Sequence, residues 1–217
     1  VDQAIMEDYA STLRAGLTGM LQREVDCADP TVLTNLCEAG GVDYLFVIND
    51  KRDYDDRVGE YRAVLGRVVP QTATITLTNR DVVAYDMLRR TRLAMDNGKL
   101  NVELDELAGT IVALYPAAIE AMQINAPSTV RCGTAAPIAV TMTAAGGNAL
   151  PGLQPMQVTI ADPGGNQNDF GGYHLASGGR LLLPFTAAIN DTPGQWSITV
   201  IDLTAGLEAQ ATFNVAR

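Results

Sequence analysis

The hydrophobic and polar positions change their spacing near residue 31. Before it, apolar side chains recur every three or four positions, which is typical of one face of a helix. After it, short runs alternate between apolar and polar residues, which predicts β-strands. The sequence therefore predicts one N-terminal amphipathic helix and then a mainly β protein. The helical stripe consists of Ile5, Tyr9, Leu13, Leu17, Met20 and Leu21.

The predicted helix is intrinsically weak. Gly16 and Gly19 lie within it, and each costs about 1 kcal/mol relative to alanine. The apolar stripe must therefore pack against another apolar surface. Two alternatives remain open: the helix docks on the first β domain, or it packs on a partner or on a domain upstream.

The first β region ends in a clear hairpin signal. "VDYLFVIN" (42–49) is a continuous apolar run, which predicts a central strand covered on both faces. "TATITL" (72–77) alternates, with Ala73, Ile75 and Leu77 predicted to face inward. Asn97-Gly98 favours a tight β-turn that leads into the inward-facing residues Leu100, Val102 and Leu104.

A segment rich in proline and small residues, 116–137, is predicted to be a joint without regular structure. About seven short strands follow, a number typical of an immunoglobulin-like sandwich. The predicted fold is two tandem antiparallel β-sandwich domains, with the helix at 1–25 and the domains at 26–117 and 118–217. The inward positions of the second domain are Met156, Val158, Ile160, Trp196, Ile198, Val200, Ala209, Ala211, Phe213 and Val215.

Composition narrows the class of partner. The 217 residues carry a net charge of −10, so nucleic acids and anionic membranes would be repelled. No stretch reaches the ~20 apolar residues that span a bilayer. Because Val1 leads directly into the helical pattern, we expect the chain to be a mature or excised piece of a longer protein.

The cysteines allow two interpretations. Cys27 and Cys37 form a disulfide in an oxidising compartment and leave Cys132 over, or all three are buried free thiols. With one histidine in the chain, a zinc site is not expected.

The stretch "VINDKRDYDD" (48–57) is the strongest candidate for a metal site. Asn49, Asp53, Asp55 and Asp56 offer oxygen ligands of the kind that calcium needs. However, three cations are interleaved with them, and the spacing lacks the glycine of a calcium loop. We therefore predict a strand that ends at Asn49 and a solvated turn, with no metal. A chelator should leave the melting temperature unchanged; a drop of several degrees that calcium restores would contradict this.

No residue pattern indicates catalysis or a cofactor. His174 lies in a hairpin flank without a partner set, and the glycine-rich "GGNQNDFGG" precedes no helix. Asn166, Asn168 and Asp169 offer a weak metal alternative within it. Sugar-binding modules display exposed aromatic rings, and the loop tyrosines Tyr54, Tyr61 and Tyr173 are the candidates for a glycan contact.

Two segments of the first half resemble a known family. "YLFVINDKRDYDDRVGEYRAVLGRVVPQTATITL" (44–77) and "LNVELDELAGTIVALYP" (100–116) resemble C-terminal β-sandwich accessory modules of large secreted bacterial glycoside-hydrolase-like proteins. The second half is similar to macroglobulin-like or immunoglobulin-like modules at 147–152, 158–165 and 191–200. The resemblance implies accessory or structural domains of an exported protein.

These observations together favour a non-catalytic structural or interaction module. We expect an extracellular or cell-surface location and association with further copies or other protein chains. The apolar strand edges of "TATITL" and "EAQATFNV" and the helix are the predicted contacts. The alternative is a carbohydrate-binding accessory region of a glycoside hydrolase.

Overall fold

The computed structural model describes residues 3–17, 20–21, 23–53, 67–78, 80–106 and 108–217. Within these ranges the chain is mainly β, with several sheets and one α-helix, α1 (Gln3–Leu17). The strands are β1 (Val25–Cys27), β2 (Val32–Ala39), β3 (Val42–Asn49), β4 (Arg52–Asp53), β5 (Arg67–Val68), β6 (Gln71–Leu77), β7 (Val83–Asp86), β8 (Thr91–Leu93), β9 (Met95–Asp96), β10 (Lys99–Leu104), β11 (Gly109–Tyr115), β12 (Ile119–Asn125), β13 (Thr129–Arg131), β14 (Ile138–Ala144), β15 (Leu153–Ala161), β16 (Gly172–Ser177), β17 (Arg180–Leu183), β18 (Gly194–Asp202) and β19 (Glu208–Ala216).

The first half contains two larger sheets. A four-stranded sheet has the order β1-β6-β10-β9, and a five-stranded sheet has the order β2-β3-β11-β7-β8. Both sheets contribute to one apolar core, because alternate side chains of each strand point to the same side. The inward positions predicted for β6 and β10 are confirmed as buried. The core includes Leu45, Val47, Ala73, Ile75, Leu77, Leu100, Val102, Leu104, Val112 and Leu114.

The predicted turn at Asn97-Gly98 is confirmed. Both residues have positive φ, 48° and 74°, and Lys99 pairs with Asp96 across a two-residue loop. A side chain at Gly98 would also meet the Leu77 carbonyl oxygen at 2.8 Å. Glycine is therefore required here both by the backbone conformation and by the close approach of β6.

The second half forms an eight-stranded sheet with the order β12-β14-β17-β16-β15-β18-β19-β13. Neighbouring strands are antiparallel, except that β13 pairs parallel with β19, Thr129 opposite Asn214. The inward positions predicted for β15 and β18 are confirmed as buried. In β19, Phe213 and Val215 are buried, whereas Ala209 and Ala211 are half-buried.

The predicted unstructured joint is wrong, because β12 and β13 lie within residues 116–137. The pairing of β12 with β14 shifts register between Ile119 and Ala121. Such a bulge interrupts the two-residue alternation of side chains. The segment therefore has no period that a pattern search can detect, although β12 and β13 contribute seven and three residues to it.

The two halves share part of their apolar core. Val42, Tyr85, Ala113 and Tyr115 project from the outer face of the first half and belong to the core of the second. The buried Tyr85 hydroxyl accepts a hydrogen bond from the Ile119 backbone N–H at 2.8 Å. Strands on either side of Pro116 lie in different sheets. The division into domains at 26–117 and 118–217 stays a prediction.

Tyr85 and Tyr115 form a matched pair at this junction. Their rings pack edge to face with centroids 6.0 Å apart, but the buried Tyr115 hydroxyl, which lies near the Gln154 and Thr204 side chains, forms no hydrogen bond of good geometry among the described residues. We expect Tyr85→Phe to lower the free energy of unfolding by about 1–3 kcal/mol, because it leaves the Ile119 N–H unpaired. Tyr115→Phe should leave stability unchanged or raise it. Chemical denaturation measures both, and equal losses in the two variants would contradict the hydrogen-bond assignment.

Within the described part of the chain, nothing covers the apolar stripe of the helix. The Arg14 guanidinium donates to the Asp26 carboxylate at 2.6 Å and to the Cys27 carbonyl at 3.0 Å, which holds α1 beside β1. The apolar stripe is exposed: 64% for Ile5 and Tyr9, 49% for Leu13 and 40% for Leu17. Docking of the stripe on the first β domain is therefore not what the structure shows.

The predicted strand edges are paired on both sides only in part. "TATITL" lies in β6, where β10 pairs along the strand but β1 pairs only with Ile75, Thr76 and Leu77. "EAQATFNV" lies in β19, where β18 pairs with residues 208–215 but β13 pairs only from Asn214 onward. Association through the stretches that have a paired strand on one side only stays a prediction.

Candidate functional site

The end of β3 anchors the acidic stretch 48–57. Asn49 is buried; its side-chain amide donates to the Val69 carbonyl at 2.8 Å, and its Oδ1 accepts from the Lys51 N–H at 3.1 Å. Gln71 Nε2 donates to the same Oδ1 at 2.8 Å. The predicted strand end is confirmed, and Asn49 joins it to the β4–β5 segment and to β6.

The charges that follow Asn49 lie at the surface. Arg52 Nε and an Asp50 carboxylate oxygen are 3.4 Å apart, an exposed ion pair worth about 0–1 kcal/mol. Asp53 is exposed, whereas Asp55 and Asp56 lie outside the described residues. No group of metal-ligating side chains occurs in the described part of the chain. The expectation of a metal-free turn stays a prediction.

The glycan candidates are only partly described. Tyr54 and Tyr61 lie outside the described residues. Tyr173 in β16 is 77% exposed, opposite Gln157 of β15. Leu175 is also exposed and, two residues further along the strand, shares its face. The structure therefore provides an accessible aromatic ring beside an apolar neighbour, and whether the three tyrosines form one site stays a prediction.

The turn after β15 is held by its own hydrogen bonds. Hydrogen bonds from the Asn166 side chain and backbone lower the pKa of Asp162, while Asn168 Oδ1 accepts from the Phe170 N–H at 3.0 Å. Of the oxygens that could bind a metal here, Asn168 Oδ1 therefore serves the turn, whereas Asp169 is exposed. The Nε2 atom of His174 lies 3.2 Å from the Phe170 carbonyl oxygen.

All three cysteines are free thiols: Cys27 is buried, Cys132 is half-buried and Cys37 is exposed.

A polar cavity of about 310 Å³ lies beside β6 and β10. Its charged lining residues are already engaged. The Glu103 carboxylate accepts from the Thr72 hydroxyl at 2.9 Å, and Arg89 bridges the carboxylates of Asp86 at 2.9 Å and Asp105 at 3.0 Å. The charged groups of this cavity are therefore paired with one another or with a hydroxyl, and these contacts do not form a nucleophile–base pair.

A second cavity of about 310 Å³ is apolar and lies on the outer face of the five-stranded sheet. We call it the outer groove. The prediction that β3 is covered on both faces is wrong, because Phe46 and Ile48 line this groove and are exposed. The second half covers only one end of the face, around Tyr44, Tyr85 and Tyr115. The apolar side chains around the groove are Leu33, Phe46, Ile48, Leu88 and Ile111.

Gly109 is one of the residues that line the outer groove. This residue is opposite Ile48 in the register of β11 and β3, so the position beside Ile48 on the outer face of the sheet has no side chain. A Cβ atom there would meet the Val47 carbonyl oxygen at 2.8 Å. Sequence reasoning missed the groove, because a continuous apolar strand is usually covered on both faces.

The junction of the two halves contains a buried carboxyl group. Asp202 accepts from the Ala205 N–H at 2.6 Å and from the Thr204 N–H at 3.2 Å. Burial raises the pKa of Asp202, and these backbone bonds act in the opposite direction. Burial also raises the pKa of the nearby Tyr115 hydroxyl.

We expect Asp202→Asn to change how stability depends on pH. Because its pKa is raised in the folded state above the ordinary value of 3.8, Asp202 adds stability that is fully present below that value. This stability is lost as pH rises through the folded pKa. The free energy of unfolding of the natural protein, relative to that of Asp202→Asn, should therefore fall as the pH rises above about 4. Chemical denaturation at several pH values measures it, with Asp169→Asn, an exposed carboxyl, as control. A difference that rises with pH would contradict the assignment.

Comparisons with known proteins give distant likenesses. No protein-family model matches the chain, and no curated protein matches it significantly. The β-glucosidase from Listeria innocua is 14% identical over 46% of this chain and 16% of its own, with a TM-score of 0.33. Domains 4 and 5 of the S-layer protein SbsC are 14% identical over 69% of this chain and 67% of theirs, with a TM-score of 0.30. A DNA glycosylase, AlkC of Pseudomonas fluorescens, is 13% identical over 46% of this chain and 30% of its own, with a TM-score of 0.28.

These likenesses are partial, and at such TM-scores they carry no argument for this chain. The chain spans about a sixth of the length of the β-glucosidase that it matches. A glycoside hydrolase is thus among the structures that the chain resembles in part, alongside an S-layer protein. Among the described residues, no helix combines the length and hydropathy needed to cross a membrane.

Proposed function

We propose that this chain is a non-catalytic structural and interaction module of a secreted or cell-surface assembly, built of two β-sandwiches and able to self-associate. The observation that carries the proposal is the exposed apolar stripe of α1. Side chains of this size gain about 1.5–3 kcal/mol each on full burial, so four of them in water favour a covering surface.

The sandwich architecture is supported by the two apolar cores. In the first, side chains from the four-stranded and five-stranded sheets belong to one cluster, which is the arrangement of two sheets packed face to face. The absence of catalysis is supported by the engaged carboxylates of the polar cavity. The extracellular location rests on the resemblance of the sequence to secreted bacterial modules.

Light scattering against protein and salt concentration tests self-association. The net charge of −10 opposes close approach of two copies, so added salt should increase the average mass if apolar surfaces drive the contact. A monomer under every condition would contradict self-association.

The second candidate function is carbohydrate binding, which the exposed ring of Tyr173 favours. Pulldown on an insoluble glucan and a glycan array test it. The variants Tyr54→Ala, Tyr61→Ala and Tyr173→Ala should each weaken retention if the tyrosines hold the sugar. If the natural protein binds no glycan, carbohydrate binding is contradicted and the structural module is the only proposal that remains.

A further inference from the structure

We propose that the outer groove of one copy binds the α1 stripe of a second copy, in a head-to-tail contact. The inference rests on the proposed self-association and names its two surfaces. A helix that lays residues spaced by three or four into an apolar groove is a recurrent mode of recognition. Here one chain carries both surfaces of such a contact, the α1 stripe and the outer groove, and both display exposed apolar side chains.

The groove has the features of an acceptor site. Phe46 and Ile48 of β3 and Leu88 of the β7–β8 turn are exposed around a hollow of about 310 Å³. Gly109 leaves the floor open between the side chains of β3 and β11. Folded monomers rarely leave an apolar hollow of this kind beside exposed leucine, isoleucine and phenylalanine without a partner.

Within the described residues, the helix of a copy does not lie in that copy's own groove. Arg14 ties α1 to Asp26 and Cys27 of β1, and β1 is an edge of the four-stranded sheet. The groove lies on the outer face of the five-stranded sheet, whose inner face packs on the four-stranded sheet. The helix and the groove therefore belong to different layers of the first half.

Charge favours a second copy as the occupant. Arg92 is opposite Tyr85 in the register of β8 and β7, so it shares the outer face with the groove. Arg90 is exposed beside it, and within the described part of the chain neither arginine forms an ion pair. On the helix, Asp8 is exposed and flanks the stripe next to Ile5. In a chain of net charge −10, these two arginines near the groove and the exposed Asp8 of α1 carry opposite charges, which favours the helix of a second copy.

The geometry of the contact determines the type of assembly. A helix and a groove are different surfaces, so the contact is heterologous and each bound copy still offers one free helix and one free groove. The average mass should then rise continuously with concentration and not stop at a dimer. A two-fold contact between two helices would stop there.

The test uses one charged substitution on each surface. Leu13→Glu disables the stripe and Leu88→Glu disables the groove; each should weaken association at least about tenfold, because a leucine of this kind is buried in the contact. Ser11→Glu, on the opposite side of the helix by its spacing, and Leu182→Glu, an exposed leucine of β17, are the matched controls. Tyr9→Glu and Ile48→Thr provide a second variant of each surface if one of the first pair fails to fold.

Mixing the two disabled variants gives the decisive measurement. The intact helix of Leu88→Glu can enter the intact groove of Leu13→Glu, so two proteins that are monomeric alone should form a one-to-one dimer in sedimentation velocity. The controls should assemble as the natural protein does. This pattern is the expected result.

The other outcomes overturn the proposal in distinguishable ways. If Leu88→Glu assembles normally and Leu13→Glu does not, the helix binds another surface. If Leu13→Glu assembles normally, the helix is not the donor. If both are monomeric and the mixture stays monomeric, the two surfaces do not meet. A natural protein that is monomeric at every concentration would overturn the proposed self-association as well.

Discussion

Replacement of Trp196 by alanine should lower the free energy of unfolding by about 3–5 kcal/mol, the usual cost of emptying an aromatic site in a core. Trp196 was predicted to be a core residue, and it is 2% exposed. Its ring lies 5.9 Å from that of Phe185 and 6.2 Å from that of Phe213. The indole N–H also donates to the Thr192 carbonyl at 3.0 Å, so alanine removes apolar contacts and one hydrogen bond together.

Thermal unfolding measures this effect. At about 2–4 °C per kcal/mol for a chain of this size, the melting temperature should fall by roughly 6–20 °C. Tyr173→Ala removes an exposed ring and should change it little, while Trp196→Phe should recover part of the loss. An alanine variant that melts with the natural protein would mean that the inward face assigned to β18 is wrong.

Gly152→Ala should destabilise the protein by about 2–4 kcal/mol, through two separate causes. Gly152 has a φ of +75°, and a Cβ atom there would meet Val42 Cγ2 at 2.6 Å. The first cause is the strain of a left-handed backbone, and the second is overlap at the contact between the two halves. Chemical denaturation gives the total.

The two causes can be separated with a matched glycine. Gly147 has nearly the same φ, +76°, but a Cβ atom there would meet nothing within 4 Å. Gly147→Ala should therefore show the backbone strain alone, about 1–2 kcal/mol. Equal losses in the two variants would show that the halves separate easily enough to admit a methyl group.

Regular alternation is what the sequence predicted well. The inward residues of β6, β10, β15 and β18 are buried as expected, because a strand with one covered face must place apolar residues at every second position. The Asn97-Gly98 turn was predictable for a related reason: few residue pairs tolerate two positive φ angles. Local chemistry decides both features.

Features that depend on distant parts of the chain were not predictable. β12 escaped detection because its bulge next to Ile119 breaks the alternation. Which residues of β6 and β19 are paired on both sides depends on β1 and β13, which lie elsewhere in the chain, and the low charge of the two strands gives no sign of it. The outer groove exists because the second half reaches only one end of a sheet face. The glycan candidates Tyr54 and Tyr61 lie outside the described residues, so that part of the candidate site stays a prediction.

The parallel pairing of β13 with β19 has a consequence for synthesis on the ribosome. β13 is an edge strand, and its neighbour in the sheet is β19, so β13 emerges long before the strand that it needs. Phe213 and Val215, which complete the second core, also lie on β19. Contacts between residues so distant in sequence form slowly. The second half should therefore remain exposed to aggregation, and dependent on chaperones, until residues 208–216 have been made.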